Sequence, residues 1–549
     1  MDFPSLRKTN GTWELFVDGK PYLILGAELH NSSMSSSRYM DEVWQNIKDM
    51  GVNTILGSVS WEDIEPEEGC FDFGELHLVL SNARSYGFRV ILICYTPTWV
   101  KRNPQRFPRM QLRKPPIRLE TSNVISIFHE ECIKADSQAF SRLMLHLREM
   151  DTQRTVIMVQ VENEVGLLGD SRDGSVFAEE LFRGPVPQEL TNFLESDFDV
   201  LLPELTRNFP DFPKTVKHIR AAGKVGTWTE CFGENIHTDE LFMAYYYALY
   251  VEKVAMAGKQ IYNIPIFTNV WQPKGDDTNP LDNVAAGGDR PGNYPSGGAV
   301  STVLDIWNRF APTLAFISPD IYSTNYSKTC AAYSHKGQAL FIPEQRRDEY
   351  GARRVWEALG SYQALGVSPF GIDSIKASEC AFTRHYKILG AIRHHILGAR
   401  PKPESFIGFY FDELGPNGND PTPPLTKQFG SFTLSISRAF VLGTPGPGFG
   451  MIIELDNDRF MLAGMGFKVE FASNEPGPLA YTGILRFEEK SVVDSEVGLL
   501  RTDRILNGDE TRSGQWANMP NEDPDYGTAF IPITVPARTM IAEVQVYSI

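Results

Sequence analysis

The chain has 549 residues, 42% of them hydrophobic and 22% charged, and its 69 acidic and 52 basic side chains leave a net charge of −17. That length exceeds one ordinary domain and fits a large barrel with a companion domain. The acidic balance argues against a nucleic-acid partner, which wants a basic face; it is compatible with a neutral ligand such as a sugar.

No window reaches the roughly 18 apolar residues of a membrane span, so no membrane partner is expected. Six cysteines, Cys70, Cys94, Cys132, Cys231, Cys330 and Cys380, lie far apart without C-x-x-C spacing. Free thiols in a reducing compartment are expected, with no metal or cofactor. The N-terminus M-D-F-P-S-L-R-K-T-N-G lacks the apolar run of a signal peptide. A cytoplasmic protein is expected, or a secreted one whose leader has been removed.

In chain order, residues 6–21 read as a hairpin with turn signals at Asn10-Gly11 and Asp18-Gly19, suited to closing the floor of a barrel. A strand over 22–27 leads to Glu28-Leu29-His30-Asn31, and 38–50 has helical periodicity. A second strand, 53–58, precedes W-E-D-I-E-P-E-E-G-C-F-D-F, which begins at Trp61. After a helix over 76–86, a third strand ends on Tyr95 and passes into T-P-T-W, which ends on Trp99. Residues 101–133 read as a long loop at the barrel mouth, and a helix over 135–150 feeds the stretch 154–166.

That stretch, R-T-V-I-M-V-Q-V-E-N-E-V-G, reads as one strand. Ile157, Val159 and Val161 alternate with Gln160, Glu162 and Glu164. A helical insertion follows over 167–240, with one helix predicted over 188–205. A helix over 241–258 precedes a fifth strand, 264–271, that carries Asn269 and Trp271. Lys274 to Gly298 is a Gly-, Asp- and Pro-rich loop, read as a lid because Asp276, Asp277, Asp282 and Asp289 lack calcium-loop spacing. A helix over 299–310 leads to strand 314–317 and P-D-I-Y, which ends on Tyr322. The seventh strand, 338–344, stops on Glu344; a helix (350–365), an eighth strand (367–372) and a last helix (383–397) follow. The expected fold is therefore a (β/α)8 TIM barrel over 22–398 behind the 1–21 hairpin. Short alternating segments at 431–441, 450–455, 468–471 and 540–548 make 399–549 a C-terminal antiparallel β-sandwich. G-T-P-G-P-G-F-G (443–450) reads as a hairpin loop within it.

Two strands that each deliver a glutamate at the C-terminal end are what carboxylate-pair glycoside hydrolysis on a barrel requires. Glu164 and Glu344 are 344 − 164 = 180 positions apart, so only opposite sides of a barrel mouth could bring them together. Carboxyls ~5 Å apart give a retaining mechanism, with Glu164 as acid/base and Glu344 as nucleophile. Asn163 could hold a sugar hydroxyl beside the reacting carbon. The following Gln345-Arg346-Arg347 leaves a salt-bridged structural acid as the other reading of Glu344, and Glu162 reads as a paired structural carboxylate. Trp61, Trp99 and Trp271 either stack on a sugar or fill core. Tyr322 either holds the nucleophile or packs.

V-Q-V-E-N-E-V-G resembles the acid/base motif of glycoside hydrolase family 35 β-galactosidases, in clan A. W-E-D-I-E-P-E-E-G-C-F-D-F and G-A-E-L-H resemble two further motifs of that family, with His30 matched. T-P-T-W and P-E-Q are similar instead to family 42, and Tyr95-Thr96-Pro97-Thr98 stands where family 35 has an Ala-Glu pair. The resemblance implies a retaining exo-β-galactosidase acting on oligosaccharides or polysaccharide side chains, with His30, Tyr95, Asn163 and Asn269 joining the aromatic residues as sugar contacts. A β-glycosidase of other specificity (arabinoside, fucoside or mannoside) and a non-catalytic carbohydrate-binding protein are the alternatives. The sandwich resembles one appended in a microbial branch of the family; it could bind glycan, mediate homo-oligomer contacts or brace the barrel.

Overall fold

A computed structural model describes residues 2–95, 98–114, 118–274, 288–323, 325–420, 422–439, 446–475, 479, 481–521 and 535–549, excepting the side chains of 94, 95, 98 and 416. Eight parallel strands form the barrel: β1 (Ile24–Glu28), β2 (Thr54–Ser60), β3 (Arg89–Tyr95), β4 (Val156–Gln160), β5 (Ile266–Trp271), β6 (Ile317–Asp320), β7 (Ile342–Gln345) and β8 (Gly366–Pro369). Pairing runs β6-β5-β4-β3-β2-β1-β8-β7, and the parallel bridge Ile321↔Gln345, one residue past β6, joins the two ends. Residues of β1, β4, β6 and β8 are buried throughout, as expected for strands covered by helices outside and by packed side chains inside.

Ahead of β1, three short strands, Ser5–Thr9, Thr12–Val17 and Lys20–Tyr22, form an antiparallel sheet. Positive φ at Asn10 (49°), Gly11 (90°), Asp18 (52°) and Gly19 (76°) gives both two-residue turns the twist that suits a hairpin. Leu15 and Val17 then enter the inner core beside Ile24, Leu56, Ile91, Ile157, Phe267 and Phe341. Each such side chain contributes roughly 1.5–3 kcal/mol of burial.

Several expected elements differ in detail. The 38–50 helix is two short ones, Ser37–Asp41 and Trp44–Asp49, and the last helix is Ala381–Ala391 followed by Arg393–Ala399. Residues 188–205 divide into Gln188–Asp197 and Pro203–Asn208, because Pro203 starts a new helix. The 101–133 stretch contains an antiparallel hairpin, Arg109–Lys114 with Arg118–Ile125. The 154–166 strand stops at Gln160.

Beyond the barrel, a six-stranded and a four-stranded antiparallel sheet make up the C-terminal unit. Aromatic rings fill the space between them, with Phe409–Phe467 centroids 5.0 Å apart and Phe460–Phe471 5.6 Å apart. Strand Phe406–Phe411 lies against helix Glu349–Gly360, the helix that follows β7. Backbones meet there: a Cβ on Gly408 would stand 1.8 Å from the Trp356 carbonyl oxygen. Arg354, on the same helix, pairs with Asp412 at 2.5 Å and stacks on Tyr350 and Tyr410.

Candidate active site

The C-terminal ends of β1, β4, β6 and β7 bring four carboxyl groups into mutual range: Glu28, Glu164, Asp320 and Glu344. One oxygen each from Glu164, Asp320 and Glu344 lies within 4.8 Å of the other two. Side chains 180 positions apart therefore meet across the mouth of the ring.

Glu164 reaches this position through strained backbone. Glu162 (φ 60°) and Glu164 (φ 46°) both occupy the left-handed region, which costs a residue with a side chain about 1–2 kcal/mol. This ends the strand alternation, and it persists because neighbours hold it. Gln160 Nε2 donates to the Glu162 carbonyl at 3.2 Å and to Asn163 Oδ1 at 3.0 Å. The Glu164 amide donates to Asn269 Oδ1 at 2.9 Å. Three residues on, Leu167 and Ser296 exchange backbone hydrogen bonds of 3.0 Å each.

Asn269 was expected to contact sugar; it is instead a brace. Its Nδ2 donates to Asn163 Oδ1 at 3.0 Å and to Asp320 Oδ2 at 2.8 Å, so both amide hydrogens are engaged, and the residue is 2% exposed. Asn163 is left with its own Nδ2 bonded to no protein group among the described residues, beside Glu164.

Glu344 is not a salt-bridged structural acid. Arg346 pairs with Asp348, and Arg347 donates to the Gly371 carbonyl and Ser374 Oγ. Its side-chain partner is Tyr322, whose hydroxyl donates to Oε1. Burial first, then the charge of Glu164, push the Glu344 carboxyl up to about 8, against the pull of the Tyr322 donor. Glu164 is raised by burial and partly relieved by Asp320. Burial and then the surrounding carboxylates hold Glu28 and Asp320 well above the usual carboxylate range.

Glu28 (3% exposed) and Asp320 (2% exposed) are the site residues that sequence reasoning passed over. Glu28 Oε2 and Asp320 Oδ1 are buried and receive no protein N–H or O–H among the described residues, a state that costs about 1–3 kcal/mol for each such atom. The available signal was an acid at the last position of an apolar strand, in G-A-E and S-P-D. Glu162 faces Asp136, and burial, then the Asp136 charge, hold its carboxyl well above the usual range, while Tyr250 donates to Asp136 at 2.6 Å. That is the paired carboxylate expected of it.

Trp271 lines a cavity of about 410 Å³ beside Asn163 and Glu164, together with Lys101, Asn123 and Tyr247. Trp61 does not join it. It is 4% exposed, bonds Glu65 through Nε1 and packs edge-on against Trp99, which abuts Phe107 at 5.5 Å. Trp61 is core, and Trp99 is half-buried against that core. His30 sits two residues past β1, its Nδ1 2.8 Å from Asp373 Oδ1 and its side chain 43% exposed. The Tyr95 side chain, Asp276, Asp277, Asp282 and residues 443–445 lie outside the described residues. The five cysteines with described side chains are free, and all but Cys70 are buried. No helix among the described residues is long and apolar enough to cross a membrane.

Fold and site together define a class: parallel (β/α)8 barrels with facing carboxyls at the ends of the fourth and seventh strands. Within it, residues 31–196 match the family model described as "Beta-galactosidase" (Glyco_hydro_42), and residues 382–518 match a domain of unknown function (DUF5597). The matching model is that of family 42, over a stretch that includes T-P-T-W; it does not support the expectation of family 35. A beta-galactosidase of Xanthomonas manihotis is 26% identical over 166 residues, 30% of this chain and 27% of that protein. Beta-galactosidase-1-like protein 3 of Rattus norvegicus is 27% identical over 187 residues, 33% of this chain and 28% of that protein. The matched region is just over a quarter of the length of these curated relatives. Among solved structures, beta-galactosidase from the psychrophilic Marinomonas ef1 aligns over 69% of this chain and 61% of its own, with 14% identity and a TM-score of 0.45.

Proposed function

We propose that the protein is a retaining, exo-acting β-galactosidase that releases terminal β-D-galactose from oligosaccharides or polysaccharide side chains. One observation carries this reading: Glu164 and Glu344 present carboxyl oxygens within 4.8 Å of each other. Retaining glycosidases hold their carboxyls ~5–5.5 Å apart, whereas inverting ones leave ~6.5–9.5 Å for a water. The galactose preference is supported by the family match over 31–196, which includes Glu164, and by the β-galactosidases among the relatives.

In the first step Glu164 gives its proton to the glycosidic oxygen while a Glu344 oxygen attacks the anomeric carbon. The C–O bond to the leaving group breaks, and a glycosyl ester on Glu344 forms. In the second step Glu164, now a carboxylate, takes a proton from water as that water attacks the same carbon, and Glu344 departs. The cycle needs one proton shared across the pair, and mutual repulsion supplies that condition. Tyr322 steadies the Glu344 carboxylate, Asn163 Nδ2 is placed to hold a hydroxyl next to the reacting carbon, and His30 stands at the rim. The cavity beside Glu164, with Trp271, receives the leaving group. Residues 22–398 carry the chemistry, and 399–549 brace the helix behind β7.

Proton NMR of the first sugar released from an aryl β-galactoside tests the reading. The β-anomer should appear before mutarotation; the α-anomer as first product would contradict the mechanism, and absence of turnover on any aryl glycoside would contradict the activity.

A further inference from the structure

Asp239 and Glu240 are neighbours on helix Ile236–Lys259, yet their charges are handled differently. Asp239 is neutralised by Arg113 at 2.9 Å and by Arg172 at 3.0 Å. Glu240 is fully buried and forms no ion pair among the described residues. It accepts instead from Tyr294 Oη at 2.7 Å and from Thr302 Oγ1 at 2.9 Å. Burial pushes its carboxyl up to about 7, against the pull of those two donors. A buried acid without a cation costs stability. Packing alone gives no reason for one here; what it holds does.

It holds residues 291–298, which are wedged between that helix and the chain leaving Glu164. Pro295 follows Tyr294 and lines the cavity beside Glu164 and Trp271. Ser296 exchanges backbone bonds of 3.0 Å with Leu167, and its Oγ donates to the Ser171 carbonyl at 2.6 Å. The Gly169 amide donates to the Gly292 carbonyl at 2.7 Å. A Cβ on Gly166 would stand 2.5 Å from the Pro295 carbonyl carbon, and one on Gly297 would stand 2.6 Å from Met243 Cβ, on the helix. The wedge therefore has no room to shift. Gly166 is two residues from Glu164, whose φ of 46° must be held against its preference.

We infer that Glu240 is a positioning residue for the acid/base: by fixing Tyr294 and Thr302 it clamps 291–298 against 165–171 and keeps the Glu164 carboxyl at the glycosidic oxygen. The inference rests on the glycosidase reading and adds to it what holds the proton donor in place. Glu240 lies too deep to touch substrate, so its signature is selective. A displaced general acid slows the departure of leaving groups that need a proton and spares those that leave as stable anions.

The test uses the full chain with Glu240→Ala, Tyr294→Phe and Glu240→Gln. It compares methyl β-galactoside with dinitrophenyl β-galactoside through kcat/KM, which reads the bond-breaking step. The first two variants cut the clamp. In Glu240→Gln the amide oxygen still accepts from Tyr294, and the amide hydrogens meet the Thr302 hydroxyl as acceptor. Glu240→Ala and Tyr294→Phe should each lose about 10²-fold on the methyl glycoside, the loss that an ångström of misplacement brings. They should lose almost nothing on the dinitrophenyl one, and Glu240→Gln should restore most of the loss. Should Glu240→Ala fail to fold, Tyr294→Phe, which removes a single oxygen, reads the same ratio. Equal losses on both substrates would overturn the inference, since they mark a general effect through the scaffold; so would full activity on both. Should wild type prefer another sugar, the same two leaving groups on that sugar give the reading while the galactose preference alone falls. Should it hydrolyse no glycoside, the function falls, and amide hydrogen exchange reads the clamp. The Glu164, Leu167 and Ser296 amides should then exchange faster in Tyr294→Phe than in wild type, and unchanged exchange would overturn the inference.

Discussion

Buried charge is handled in opposite ways at the mouth-facing end of strand β7 and on the helix that follows it. Where that helix, Glu349–Gly360, meets the sandwich, Arg353 and Arg354 are 3% and 4% exposed and each guanidinium has a carboxylate partner, though each Nε bonds no group among the described residues. Asp412 and Glu413 pair with the guanidinium groups, and tyrosine rings cover Arg354. At the mouth-facing end of β7, four carboxyls converge with no cation among the described residues, two of them keep unfilled oxygens, and the approach to Glu164 runs through left-handed backbone. The seam is arranged for stability. The mouth stores unfavourable electrostatics and strain that a substrate can relieve.

The contrast predicts that substitutions at the mouth change rate without harming the fold, while those at the seam change stability without altering chemistry. The largest effect should come from Glu164→Gln and Glu344→Gln, each lowering kcat by roughly 10³-fold or more. Thermal melting should show their stability unchanged or raised by about 1 kcal/mol, because an unneutralised buried acid is removed. A marked loss of stability in either would erase the contrast. Next is Gly408→Ala. Its Cβ cannot coexist with the Trp356 carbonyl at 1.8 Å, and forcing the seam apart should cost about 3 kcal/mol in a denaturant titration, with kcat per folded molecule unchanged. Arg354→Met should cost about 2 kcal/mol, less than a fully buried pair because Asp412 is 37% exposed on its side chain.

The smallest effect sharpens the comparison through pH. The Tyr322 donor lowers the Glu344 pKa, so Tyr322→Phe leaves that carboxyl with a higher one. Its ionised, attacking form is then lost at higher pH. The acid limb of the kcat/KM profile should move upward, with about a tenfold fall at the optimum, in keeping with a hydrogen bond to a charged group. An unmoved limb would assign Tyr322 to packing.

The strand order, the N-terminal hairpin and the glutamates of β4 and β7 were legible because each is a local pattern: an apolar run ending in an acid, or Asn-Gly between alternating residues. What was not legible depends on ring closure or on backbone angles. Glu28 and Asp320 look like ordinary rim acids until β1 and β6 close into one mouth. Alternation through Gln160, Glu162 and Glu164 implied a continuous strand, since no glycine there announces positive φ. Asn269 looked like a ligand contact, but its amide is consumed by Asn163, Glu164 and Asp320. Trp61 and Trp99 had the composition of a sugar platform, yet they pack on one another. The approach of Gly408 to the Trp356 carbonyl joins a barrel helix to a sandwich strand and has no signature in either segment alone.

The most direct measurement is azide rescue of Glu344→Gly with an activated aryl β-galactoside. If Glu344 attacks the anomeric carbon from the face opposite the leaving group, azide enters the vacated space, restores turnover and yields the α-galactosyl azide, inverted relative to substrate. Rescue that gives the β-azide, or none at any azide concentration in a folded variant, would contradict a nucleophile on β7 facing an acid on β4.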